Sequence, residues 1–200
     1  LNGAYKCRIY PDSEQEILMN ETFGCVRFVY NKMLANRKEV YERFKDDKEA
    51  LKQQKYLLPA DFKKDFEWLK EVDSLALANA QLNLQSAYKN FFRDKSIGFP
   101  KFKSKHNDKK SYTTNNQGGT IRLVDSKTIR LPKLKDVKIK LHRQLPHDTV
   151  IKSATISKTP TGKDYISVLL EYEISLTAVI PTPKTVLGLD YSSAFLFVDG

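Results

Sequence analysis

Tyr5-Lys6-Cys7-Arg8-Ile9-Tyr10-Pro11-Asp12-Ser13-Glu14-Gln15-Glu16 contains the switch on which the fold turns. Its first half alternates with period two, placing Tyr5, Cys7 and Ile9 on one face and the basic Lys6 and Arg8 on the other. That is a strand. Pro11-Asp12 breaks it, and Ser13-x-x-Glu16 has the spacing of a capping box, so a helix is expected to open there. Cys25, Val29 and Met33 recur at four-residue spacing and supply its buried stripe, with Gly24 as a possible kink. The helical pattern fades near Asp46-Asp47.

A short helix is expected over Asp61 to Lys70, with Phe62, Phe66 and Leu69 inward. A stronger one follows the cap Asp73-Ser74 and runs to about Arg93, with Leu77, Ala80, Leu84, Ala87 and Phe91 as its buried stripe. Its other side carries Asn79, Asn83, Ser86 and Asn90, with Gln81 and Gln85 at the margins. Amides can read base edges bidentately, whereas a solvated helix face usually favours Lys and Glu. Spacing alone leaves a reading face and a merely polar face both open.

From Thr120 onward the pattern turns to strands: Thr120–Val124 and Thr128–Leu131 around Asp125-Ser126, then Val137–His142, Val150–Lys158 and Tyr165–Glu173. With the N-terminal strand this makes six, enough for a small closed or nearly closed barrel. Ser111–Gly119 reads as a polar loop. The class is α+β: a barrel in two pieces, 1–11 and 95–176, interrupted by a helical insertion over 12–94. Residues 177–185, with Pro181 and Pro183, read as a linker, and a further domain starts at 186.

Charge is concentrated in one block. The chain of 200 residues has net charge +10, but residues 93–143 hold 15 Lys or Arg against 4 acids, while the remainder is close to neutral. The block interleaves with strand-forming apolar residues, so it reads as a structured basic surface facing a polyanion rather than a solvated tail. Lys101, Lys103, Lys105, Lys109 and Lys110 lead it, with Lys6 and Arg8 on the first strand beside it. Phe99 and Phe102 alternate with the lysines; they are either aromatic anchors of a backbone clamp or core residues with lysines pointing outward.

Cys7 and Cys25 lack Cys-x-x-Cys spacing and read as packed thiols, which with the absence of any long apolar run suggests a reducing cytoplasm and no membrane. His106, His142 and His147 do not fall at zinc-ligand spacing. Val186-Leu187-Gly188-Leu189-Asp190 reads as a buried strand ending in a carboxylate, with Phe195–Val198 returning as its hairpin partner. Asp190 is either a surface-turn residue or the first metal-binding aspartate of an RNase H-type site. Such a site needs further carboxylates, because Mg²⁺ takes oxygen ligands.

Three segments together resemble the TnpB (OrfB) family of insertion sequences, related to type V CRISPR effectors. They are Tyr5-Lys6-x-Arg8-Ile9-Tyr10-Pro11 leading to Phe23-Gly24-Cys25-x-Arg27-Phe28-Val29-Tyr30-Asn31; Ala87-Tyr88-Lys89-Asn90-Phe91-Phe92 leading to Gly98-Phe99-Pro100-Lys101-Phe102-Lys103-Ser104-Lys105; and Gly188-Leu189-Asp190-Tyr191-Ser192. The resemblance implies an RNA-guided DNA endonuclease of bacterial cytoplasm. Its wedge domain would be an oligonucleotide-binding-type barrel holding a transposon-derived guide RNA. The helical insertion would be a recognition domain reading target double-stranded DNA through Asn79, Gln81, Asn83, Thr114 and Asn115. Residues 186–200 would begin a RuvC-like nuclease domain, with Asp190 as a catalytic Mg²⁺ ligand. The family's remaining carboxylates and zinc cysteines have no counterpart in this chain, so cleavage by it alone is not expected. A nuclease-dead RNA-guided DNA-binding repressor and a non-catalytic RNA-binding barrel are the alternatives.

Overall fold

The structure is a computed structural model that describes residues 1–106, 110–146 and 148–173, and the backbone of 189–190 and 198–199. Lys109, the proposed linker over 177–185 and most of the segment from 186 lie outside the described residues.

Strand β1 (Asn2–Tyr10) buries Cys7 and Ile9 and turns Lys6 and Tyr10 outward, as the alternation requires. Helix α1 (Ser13–Phe44) follows as one unbroken element through Gly24. Its cap lies one residue earlier than the sequence pattern suggested. The Asp12 side chain accepts from the Gln15 N–H at 2.9 Å, and the Gln15 side chain accepts from the Asp12 N–H at 3.0 Å. Extended backbone at Asp12 (φ −76°, ψ 179°) suits the cap, and Gln15 closes the box as well as Glu would. The Gln15 amide also donates to the Leu134 and Asp136 carbonyls at 3.0 and 2.9 Å, tying the helix start to the sheet.

Short helices α2 (Lys48–Gln53) and α3 (Pro59–Asp65) follow, then a 3₁₀ turn at Glu67–Lys70 where one longer helix was expected. Phe62 and Leu69 are buried and Phe66 is half-buried, so the inward set is retained although the helix is divided. Helix α4 (Ser74–Arg93) begins at the Asp73 cap and buries Ala76, Leu77, Ala80 and Leu84.

The remaining strands are β2 (Lys110–Asn115), β3 (Arg122–Asp125), β4 (Thr128–Leu131), β5 (Lys135–Lys140), β6 (Val150–Lys158) and β7 (Asp164–Glu171). With β1 they form one seven-stranded antiparallel sheet in the order β2-β6-β7-β1-β5-β4-β3. β1 is shared between two partners: Asn2–Arg8 pair with β7 and Arg8–Tyr10 with β5. Six strands were expected; β2 is the seventh, formed where the sequence read as a polar loop. Among the described residues no ladder joins β2 to β3, so the hydrogen-bonded sheet is not a closed barrel. It is nevertheless curled, since Leu123 of β3 and Ile151 of β6 line the same apolar interior as Cys7, Ile139 and Val168. Asn116 spans the gap, donating to the Ile121 and Ile151 carbonyls and accepting from the Ile121 N–H.

Helices and sheet share one core. Tyr112, Ile156, Ile166 and Cys7 lie opposite one another across β2, β6, β7 and β1. Phe23 of α1 meets Tyr112 edge-on at 5.5 Å between ring centroids. Both cysteine thiols are buried there, and desolvation raises the pKa of each, to about 11 for Cys25. Strands β8 (Leu189–Asp190) and β9 (Val198–Asp199) pair antiparallel with each other, placing Asp190 opposite Val198.

Candidate nucleic-acid interface

A cleft forms where the chain leaving α4 is laid back along α1. Asp94 accepts from the Ser96 N–H, and Gly98 at φ +84° turns the backbone through a region that other residues occupy only at a cost. Pro100 is then buried. Asn31 of α1 closes the arrangement: its Nδ2 donates to the Lys103 carbonyl at 2.9 Å and its Oδ1 accepts from the Lys103 N–H at 2.8 Å. One side chain thus satisfies both backbone groups of a residue 72 positions away.

This clamp brings Lys105 and His106 opposite Asn20, Gly24 and Arg27 of α1, with Lys110 at the start of β2. Together they line a cleft of about 620 Å³. A second hollow of about 270 Å³ adjoins it, sharing Phe23, Arg27 and Lys110 and adding Val26, Lys103, Ser104 and Ser111. Gly24 leaves the helix wall bare here, since a Cβ at that position would meet nothing within 4 Å. Among the described residues no carboxylate lines either hollow, and Arg27, Lys103, Lys105 and Lys110 have no acidic partner there. The Lys103 ammonium sits 4.3 Å from the Tyr30 ring centre, and desolvation there lowers its pKa. Four cations converging on one cleft are arranged for a polyanion.

The sequence candidates divide between several surfaces. Lys103, Lys105 and Lys110 converge on the cleft, while Lys101 is exposed on the same segment without lining it. Lys6 and Arg8 lie on the outer face of β1 against Tyr165, at 4.9 and 5.2 Å from its ring centre, with Arg8 also over Tyr10. On α4, Asn83 is exposed and Gln81 half-buried, but the Asn79 amide donates to the Leu75 carbonyl of its own helix at 2.9 Å. Asn115 is half-buried. Thr114 is a correction: it is 1% exposed on the inner face of β2, where it presents nothing to a duplex. Phe99 and Phe102, 41% and 53% exposed, are not core residues. Sequence reading missed Arg27, Asn31, Asn20 and His106. Arg27 and Asn31 stand four apart on α1, on the side of the helix opposite Cys25, Val29 and Met33, so the helical period could have put the two on one face away from that stripe.

The fold and cleft define an α+β protein with the surface chemistry of a polyanion binder. A family profile described as a helix-turn-helix domain, of the OrfB/IS605 type, matches residues 1–46. In this structure those residues hold β1 and a single unbroken helix. The chain is 36% identical over 194 residues to a protein of Escherichia coli K12 named "Putative RNA-guided DNA endonuclease InsQ", covering 96% of this chain and 46% of that protein. It is 31% identical over 194 residues to a "Putative RNA-guided DNA endonuclease" of Streptomyces pristinaespiralis, covering 94% of this chain and 45% of that one. It also matches "Virulence protein VsdF" of Salmonella dublin at 41% identity over 111 residues, covering 52% of this chain and 93% of VsdF. The chain belongs to the TnpB (OrfB) family, and it spans slightly under half the length of the two endonuclease relatives. No helix among the described residues is long and apolar enough to cross a membrane.

Proposed function

We propose that this chain is the nucleic-acid-binding N-terminal half of an RNA-guided DNA endonuclease. The observation that carries the reading is the convergence of Arg27, Lys103, Lys105 and Lys110 on one cleft. In this reading the curled sheet serves as an oligonucleotide-binding-type wedge domain over 1–11 and 95–176, gripping a guide RNA by its backbone and shape. The helices over 12–94 act as the recognition domain, and the exposed Asn83 and half-buried Gln81 of α4 and Asn115 of β2 are its remaining candidates for reading duplex DNA. After a linker over 177–185, residues 186–200 begin the RuvC-like domain.

Asp190 is proposed as one Mg²⁺ ligand of that domain. Among the described residues no group of three His, Cys, Asp or Glu side chains could hold a metal ion. Zinc is assigned to none of its residues.

Titrating a labelled RNA against the chain at increasing salt tests the cleft. Affinity should fall steeply, by about 0.7–0.9 log units per log unit of salt for each phosphate neutralised, with roughly 6–10 phosphates for the whole basic block. Arg27→Gln and Lys105→Gln should each reduce that slope by about one phosphate. A flat salt dependence sinks the reading. For Asp190, the informative protein is a chimaera in which this chain replaces the aligned part of the Escherichia coli relative. Asp190→Ala should abolish its Mg²⁺-dependent cutting and spare RNA binding; cutting that persists in the mutant refutes the role.

A further inference from the structure

A second surface stands apart from the cleft. Helix α4 ends in exposed aromatic residues: Phe92 is 70% exposed, and Phe99 and Phe102 beyond it are 41% and 53% exposed. Isolated exposed phenylalanines are ordinary, but these are joined. Phe92 lies 5.4 Å from Phe91 and is stacked near Tyr88 at 6.2 Å with 23° between planes. Phe91 and Tyr88 both meet Phe99 edge-on, at 5.3 and 5.5 Å. The Lys38 ammonium then bridges Phe99 and Phe102, at 5.4 and 4.9 Å from their ring centres. The result is a continuous ridge running from the end of α4 to the lysine-rich segment.

The ridge is held in shape. Gly98 sets the turn, Pro100 is buried and lies between Phe99 and Phe102 in sequence, and the Asn31 clamp fixes Lys103 immediately after Phe102. It is also edged with cations: Lys95 sits over Phe91 at 5.6 Å and Arg37 over Tyr88 at 5.0 Å. Lys89, Arg93 and Lys101 are exposed nearby in the chain. Exposed rings with a positive border are the recurring chemistry of single-strand recognition, in which bases stack on aromatic faces and phosphates meet the cations. A protein partner would need acidic groups placed to meet those cations, whereas a single strand presents a phosphate at every nucleotide.

We infer that the Phe92–Phe99–Phe102 ridge is a stacking platform for unpaired bases, recognising single-stranded nucleic acid separately from the phosphate-binding cleft. The inference rests on the nucleic-acid reading above and adds which surface takes the bases and in what form. Bases within a duplex are already stacked on their neighbours, so the ridge discriminates in favour of an unpaired strand.

The test compares fluorescence anisotropy of the whole chain with a labelled oligouridylate and with a labelled hairpin duplex of roughly equal charge. Phe92→Ala and Phe102→Ala should each weaken oligouridylate binding about 10-fold, leaving duplex affinity and the salt slope unchanged. Phe92→Trp should retain binding. Both rings are exposed, so circular dichroism and melting of the variants should match the parent, and loss of binding then cannot be attributed to unfolding. Oligouridylate affinity within 2-fold of the parent in both alanine variants overturns the ridge alone. Equal losses for both probes overturn it too, as does a concentration-dependent dimer dispersed by Phe92→Ala, which would make the ridge a self-association surface. Failure of the parent chain to bind either probe overturns both this inference and the reading beneath it.

Discussion

Asn31→Ala should separate the stability of the fold from the shape of the interface. The substitution removes two hydrogen bonds, at 2.8 and 2.9 Å, between one side chain and the Lys103 backbone. Because both groups are exposed, water replaces the lost partner without a burial penalty, so each bond is worth about 0.5–1 kcal/mol net, the lower part of the usual range. The local loss is therefore about 1–2 kcal/mol, or roughly 5–30-fold in the opening equilibrium of the segment from Gly98 to His106. Alanine is also a better helix former than asparagine by about 0.5 kcal/mol, which offsets part of the loss in α1. The global unfolding midpoint should barely move, since the buried side chains of that helix, such as Val29, Met33 and Leu34, are untouched. Hydrogen exchange resolves the two effects. The Lys103 amide should exchange about 5–30-fold faster, while amides of β6 and β7 keep their protection. Nucleic-acid affinity should fall because Lys103 and Lys105 are no longer fixed opposite Arg27. Asn31→Asp keeps the acceptor for the Lys103 N–H but sets a carboxylate against its carbonyl, so it should fall between alanine and the parent or below both. Unchanged exchange at Lys103 in the alanine variant would refute the clamp, as would uniform acceleration across the sheet.

Thr114→Val should stabilise the chain by about 1 kcal/mol in urea, because the buried Thr114 hydroxyl has no hydrogen-bond partner and valine matches its shape. It should leave duplex DNA binding intact, and a clear loss of DNA affinity would restore Thr114 as a reader. Asp136→Asn should lower the melting temperature at neutral pH by breaking the two-pronged pair with Arg130, whose bonds are both 2.6 Å. The Arg130 hydrogen bond holds the Asp136 carboxyl below the usual range, so its contribution is present above the unfolded value of about 4 and lost as pH falls through the depressed one. The two proteins should melt together in acid; a gap persisting near pH 2 would count against the pair. Gly98→Ala should cost about 1–2 kcal/mol locally through backbone strain at φ +84°, because a Cβ there meets open space, and exchange in residues 98–103 would report it.

Much of the fold was legible because the strongest signals were local. The Asp73 cap and four-residue apolar spacing defined α4, and alternation located β1, β6 and β7. The one-residue shift of the α1 cap has an equally local cause: aspartate and serine both cap, and glutamine and glutamate both close the box. β2 could not be read this way. Lys110-Ser111-Tyr112-Thr113-Thr114-Asn115 offers one large apolar side chain, and its extended form is imposed by pairing with β6. The partner strand begins far downstream, so no periodicity within the segment announces it.

The interface divides along the same line. A lysine-rich run between a helix and a set of strands reports which class of ligand the surface suits, because charge adds up wherever the side chains point. It does not report shape. The cleft needs Arg27 and the clamp needs Asn31, both from a helix whose sequence period marks only its buried face. Lys103 and Lys105 acquire fixed positions only once Asn31 satisfies a backbone 72 residues away. The same clamp orients Phe99 and Phe102, so one uncharged amide underlies both the phosphate-facing cleft and the aromatic ridge. Removing cations one at a time should therefore change the salt slope by small, separate steps. Removing Asn31 should weaken single-strand and duplex binding together without altering net charge. That contrast identifies geometry, rather than the charge total visible in the sequence, as the source of affinity.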